Sequence, residues 1–247
     1  MQNIAQYCRN EGVEKYEEHI KGHFDTIIRG KEFEEEFDRI KTDYEKVKSY
    51  LGIRLYNSQT IANVGFDKTV GKEVGGDLYA MLVYDLPDTV HSVAPSNTQV
   101  WNLPMEKLWK ESVNNSNAKY PPNILERELH GIKFKTVEED HFYSPNIIFN
   151  IEDHPELIGQ HGAIISIPTR HIVIIYPIND LGVVNALTTQ IQVTYNVSHQ
   201  GPGTLSNKIY WYHNGVLEDQ PYALEEDGKL AFHPTENFVE MLNGFQS

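Results

Sequence analysis

The sequence predicts an α+β fold, an amino-terminal helical hairpin packed on a mixed or antiparallel sheet with additional helices. Three observations predict it. Apolar residues recur at helical spacing through residues 1–51; from Gly52 the pattern changes to short runs rich in β-branched residues; and those strands are mixed with segregated helices. The expected organisation is a helical hairpin over residues 1–51 and an α+β body over residues 52–247, forming one compact unit.

In the segment 32–51 the residues Phe33, Phe37, Ile40, Tyr44, Val47 and Leu51 alternate in steps of four and three. That is one face of a helix, and it leaves Glu34, Glu35, Asp38, Arg39, Lys41 and Lys48 for solvent. Val13, Tyr16, Ile20, Phe24 and Ile27 make a similar stripe upstream, and Gly30 is placed to end that first helix.

Strands are expected at Ile53 to Tyr56, at Leu78 to Tyr84 after the Gly75-Gly76 break, and at Thr89 to Val93 after the Leu86-Pro87-Asp88 turn. Met105, Leu108, Trp109, Ser112 and Val113 form a helical face just after Pro104, a residue suited to a helix start. Ile132 to Val137 and Ile147 to Ile151 read as strands. Ala163 to Ile167 and Ile172 to Tyr176, joined by Pro168-Thr169-Arg170-His171, are almost continuously apolar, as central strands are. Leu181 to Ser198 fits a helix. Lys208 to His213 runs through Asn214-Gly215, the favoured type I′ turn, into Val216-Leu217. A short helix over Glu236 to Leu242 follows.

Composition bounds the class. Aliphatic, aromatic and Cys residues make up 40% of the 247 residues and charged residues 23%, both ordinary for a globular protein. The net charge is −14, from 21 Lys and Arg against 35 Asp and Glu, so the field repels nucleic acid and anionic membrane surfaces. Neither is an expected partner. Cys8 is the sole cysteine, which fits a reducing compartment. The first residues lack the basic and apolar regions of a signal peptide, so a cytoplasmic location is expected.

Candidate chemistry is sparse. His19 and His23, four apart beside Glu18, could meet a metal from one helix face, but the order is not His-Glu-x-x-His and no further ligands are evident. No metal or other cofactor is expected. Arg170-His171 sits between the two most apolar strands, where a rigid scaffold would hold a carboxylate- or phosphate-clamping arginine beside a titratable imidazole. The competing expectation is a tight turn whose charges meet solvent or pair with Asp153 or Glu156. Gly201-Pro202-Gly203-Thr204-Leu205-Ser206 reads as a turn, since proline removes a donor and a strand follows. Tyr210, Trp211 and Tyr212 alternate across a strand, either as core or as a partner-binding surface.

Ile53-Arg54-Leu55-Tyr56, Asp85 to Val93 with Trp101 after it, the Pro168-Thr169-Arg170-His171 turn, and Gly201 to Ser206 leading into Tyr210-Trp211 occur in an order that resembles a group of uncharacterised bacterial cytoplasmic proteins. More distantly the chain resembles the YtpQ-like family of unknown function. The resemblance implies a bacterial cytosolic protein over residues 20–220, and no activity, cofactor or catalytic residue.

No catalytic signature is present, so the expected function is a non-catalytic protein-binding or regulatory module. Its acidic helices suit a basic protein partner, as in inhibitors and immunity proteins. The alternative is an enzyme or small-ligand binder with a polar pocket near Arg170 and His171.

Overall fold

The computed structural model describes residues 13–199, 203–224 and 230–245. The amino-terminal residues, Cys8 included, and Gly201-Pro202 of the glycine-containing loop lie outside the described residues, and so do the side chains of His19 and Ile27.

Tyr16–Ile40 is one continuous helix, α1, and this corrects the expected hairpin. A glycine inside a helix costs only about 1 kcal/mol relative to alanine, and no proline stands near Gly30 to force a break. The chain turns instead at Lys41. A single helical turn, Tyr44–Val47 (α2), and a 3-10 turn, Lys48–Tyr50, then lead into the first strand. Leu51 therefore opens a strand rather than closing a helix. Only the carboxyl half of α1 is packed: Phe37 is buried with its ring 4.8 Å from that of Tyr84, while Ile20, Phe24 and Ile28 are exposed.

The first sheet contains Leu51–Asn57 (β1), Gly71–Gly75 (β2), Leu78–Asp85 (β3) and Val90–Ser92 (β4). Its order is β1-β3-β2, with β4 also paired to β3, and every pairing is antiparallel. Three helices flank it: Ser58–Val64 (α3), Pro95–Trp101 (α4) and Met105–Lys119 (α5). Asn57 caps α3 by accepting from the Gln59 amide at 2.9 Å, and Pro104 precedes α5 as expected.

The second sheet contains Ile124–Leu129 (β5), Ile132–Glu138 (β6), Ala163–Thr169 (β7), Ile172–Pro177 (β8), Tyr210–His213 (β9) and Val216–Asp219 (β10). The order is β10-β9-β7-β8-β6-β5, again antiparallel throughout, so β7 and β8 are central as their apolar runs predict. Asn214 and Gly215 both have positive φ, 48° and 78°, as the type I′ turn requires. Val183–His199 (α6), the small pair Tyr222–Leu224 (β11) and Leu230–Phe232 (β12), and Glu236–Gly244 (α7) complete the described elements.

Ile147 to Ile151 is not a strand. Ser144–Phe149 and Ile151–Asp153 form 3-10 turns with Pro145 near their start. Asn146 donates from its side-chain amide to the Ile53 carbonyl at 2.8 Å, so this segment meets β1 through a side chain rather than a ladder. Ile147 and Ile151, four apart, are both buried.

Alternation on the central strands divides the interior. Ile165, Ile167, Val173 and Ile175 join Ile53, Leu55, Leu78 and Ala80 of the first sheet in one core, with Ile147, Ile151 and Leu157 beside them. On the opposite face Ile164 and Trp211 pack with Val183, Leu187 and Ile191 of α6 and Phe238 of α7. Tyr210, Trp211 and Tyr212 are 0, 6 and 7% exposed, so the aromatic strand furnishes core, two rings to one face and one to the other. Among the described residues no helix is long and apolar enough to cross a membrane.

Gly162, just ahead of β7, tests this packing. Its φ is +88°, and a Cβ there would stand 2.1 Å from the Tyr212 carbonyl oxygen. Gly131 shares the left-handed backbone, with φ +76°, but has nothing within 4 Å. Gly131→Ala is expected to cost about 1–2 kcal/mol from backbone strain alone, and Gly162→Ala distinctly more in urea unfolding. Equal losses would show that β7 and β9 do not approach this closely.

Candidate functional site

On β1 the alternation that turns Ile53 and Leu55 into the shared core sends Arg54 and Tyr56 to the opposite face. Arg54 is only 6% exposed. Its guanidinium carbon lies 4.8 Å from the Phe142 ring centroid, 5.5 Å from that of Tyr56 and 6.0 Å from that of Tyr143.

Arg170 reaches the same ring from another part of the chain. Pro168 lacks an N–H, and the β7–β8 ladder shifts register between Ser166 and Thr169. The freed backbone pairs instead with the segment after the glycine loop. The Ser206 amide donates to the Ile167 carbonyl at 3.1 Å, Leu205 to Pro168 at 3.0 Å, and Arg170 donates to the Gly203 carbonyl at 3.1 Å. This places the Arg170 guanidinium carbon 4.5 Å from the Phe142 centroid. Gly203, with φ +91°, is required here, because a Cβ would lie 2.9 Å from Arg170 Nε. Both guanidinium carbons are thus within 5 Å of one ring centre.

Neither arginine has a carboxylate within ion-pair distance among the described residues, and both Nε atoms are buried without a hydrogen-bond partner. The expected pairing of Arg170 with Asp153 or Glu156 does not occur; Glu156 stands 3.8 Å from His154 instead. Burial, and then the neighbouring Arg54, hold the Arg170 guanidinium below its ordinary pKa. Burial pushes the Tyr56 phenol up, against the pull of the two arginines.

The loop that carries Phe142 is fixed at both ends. His171 donates from Nδ1 to the Glu139 carbonyl at 3.1 Å, and the Glu139 amide donates to the His171 carbonyl at 3.1 Å. The His171 ring also meets Phe142 edge-on at 4.9 Å. On the far side Tyr143 donates to buried Asp85 at 2.7 Å and stacks on Tyr120 at 4.2 Å; Tyr120 donates to the same carboxylate at 2.8 Å. Lys119 completes the shell and supplies the charge that balances Asp85. Burial and the Asp85 carboxylate raise the Tyr143 phenol, so it remains a donor.

Two open grooves of about 490 and 630 Å³ lie elsewhere. Several charged groups in their walls have partners, although Asn150 Oδ1 in the second is buried without one. Lys208 pairs with Asp219 in the first; in the second Lys72 lies 4.2 Å over the Trp109 ring and Tyr212 donates to Glu152 at 3.0 Å. His23, on α1, contacts the Phe24 ring, and among the described residues no group of three or more His, Cys, Asp or Glu is placed to hold a metal ion. The arginine pair places a buried cation where no carboxylate among the described residues balances it.

No protein-family model, curated protein or solved structure matches the chain. Function is therefore argued from the site's own chemistry.

His141 gives this region a pH dependence. Its Nδ1 accepts from the Tyr143 amide at 3.2 Å, and burial lowers its pKa from the ordinary 6.5. A base whose folded pKa is depressed contributes stability above its unfolded value, and that contribution is lost as pH falls through the folded value. His141→Asn keeps an acceptor without the titration. Thermal unfolding of the native chain is expected to weaken more steeply than that of the variant as pH drops below 6.5. Parallel curves would contradict this.

Proposed function

We propose that the protein is a non-catalytic binding module that captures an anionic group at the Arg54–Arg170 pair. One observation carries the proposal: two guanidiniums, one of them almost fully buried, share one aromatic ring with no carboxylate of the described residues beside them. Leaving a buried charge unpaired costs several kcal/mol even after local relaxation. Each cation–π contact returns only about 0.5–2 kcal/mol, and the two like charges repel. An anion would satisfy both forks and remove the repulsion. This develops the expected pocket near Arg170 and His171, with Arg54 as its deeper member.

Docking of a protein partner on α1 finds support in the exposed Ile20, Phe24 and Ile28, with Glu17, Glu18 and Asp25 outnumbering Lys21 beside them. Such an association would weaken as salt screens it.

The anion site is tested by thermal unfolding with sulfate added at constant ionic strength. Sulfate at about a hundred times its dissociation constant stabilises by about 2.7 kcal/mol, or roughly 5–10 °C for a chain of this size. Arg54→Met and Arg170→Met are expected to fold, to be at least as stable as the native chain without sulfate, and to lose the sulfate-dependent rise. A rise of equal size in all three proteins would assign the effect to the general exclusion of sulfate from protein surfaces and remove the site.

A further inference from the structure

Charge count and donor count narrow the ligand, on the premise that the arginine pair binds an anion. We infer that the ligand is a small molecule bearing a phosphomonoester, recognised as a dianion. Arginine stays protonated at any physiological pH, so the pair presents two positive charges. A monoanion would leave one of them uncompensated in a setting where Arg54 is 6% exposed. A dianion matches both.

The donors agree. Two guanidinium forks come from different segments, β1 and the β7–β8 turn, and each holds a buried Nε–H with no acceptor. A carboxylate has two oxygens in one plane and is suited to one fork. A phosphomonoester has three terminal oxygens in a tetrahedral array, so two forks can each take a pair and share one oxygen. The Tyr56 phenol, kept protonated by burial, stands beside the same two cations.

Other phosphate carriers fit less well. Nucleic-acid and phospholipid backbones are diesters with one charge per phosphate, and a chain of net charge −14 repels a polyanion far more than one small ligand.

Methyl phosphate and dimethyl phosphate are both small tetrahedral esters, and the second lacks one charge and one terminal oxygen of the first. Calorimetric titration of the full chain at about pH 8 is expected to give at least tenfold tighter binding of methyl phosphate. Toward about pH 5, below its second pKa of about 6, methyl phosphate should lose that advantage. Sulfate stays dianionic throughout. It therefore reports any contribution from the titratable groups around the site, Tyr56 on β1, Glu139, Asp140 and His141 in the loop, and His171 in the turn. Arg170→Lys retains the charge but not the fork, and is expected to bind methyl phosphate at least tenfold more weakly while unfolding at the native temperature.

Equal binding of the two esters would overturn the dianion assignment and leave the anion site standing. Binding of none of these anions would remove both. A short phosphoserine peptide is expected to bind no more tightly than methyl phosphate; tenfold tighter binding would overturn the small-molecule assignment.

Discussion

The hairpin of β7 and β8 is the constraint on which the remainder of the molecule depends. Its strands lie at the centre of the six-stranded sheet and are buried on both faces, so each must present apolar atoms in two directions at once. Ile165, Ile167, Val173 and Ile175 do so toward the first sheet, and Ile164 toward α6. A buried hairpin tolerates no register slip, since a shift by one residue would exchange the two cores. The turn at Arg170 and His171 is therefore held in a fixed position by packing on both sides. Pro168 then redirects the local backbone toward the 203–206 segment, and this is what brings Gly203 against the Arg170 side chain.

The candidate site illustrates a general conflict between stability and binding. The carboxylates differ: buried Asp85 has Lys119 and two phenols, and half-buried Asp77 collects hydroxyl donors from Ser206 and Tyr210. Arg54 and Arg170 break that pattern: among the described residues no carboxylate pairs with either, and their partners are aromatic faces and, for Arg54, the Tyr56 phenol. Other buried side chains also leave a polar atom unpartnered, Asn150 and Gln190 among them, but those are neutral; a buried cation without a counter-charge is the costlier violation, and such places are where function is expected to lie. The tethers on either side of Phe142, through His171 and Tyr143, keep the ring in place, so the pair is preorganised and not assembled by the ligand.

Much of this was legible in the residues, and the failures have physical causes. The central hairpin, the type I′ turn at Asn214-Gly215 and the helix after Pro104 follow from period and turn chemistry, which are local. Gly30 was misleading because its conformational cost is small against an intact helix. Ile147 to Ile151 looked like a strand because a short apolar run does not distinguish a strand from a buried turn of 3-10 helix. Arg170 and His171 were visible from their place between apolar strands. Arg54 carried a signal of the same kind, a lone charge between Ile53 and Leu55, but its meaning depends on Phe142, which is 88 positions away in sequence. Convergence of three segments on one ring is a tertiary fact with no local trace.

The most direct measurement is a crystal structure of the protein with selenate, whose anomalous scattering identifies the ion unambiguously. The account requires a selenium peak within hydrogen-bonding distance of nitrogen atoms from both Arg54 and Arg170, with Phe142 beside it. A well-ordered structure in which either guanidinium pairs with a carboxylate of the chain, and no peak lies between them, would contradict it.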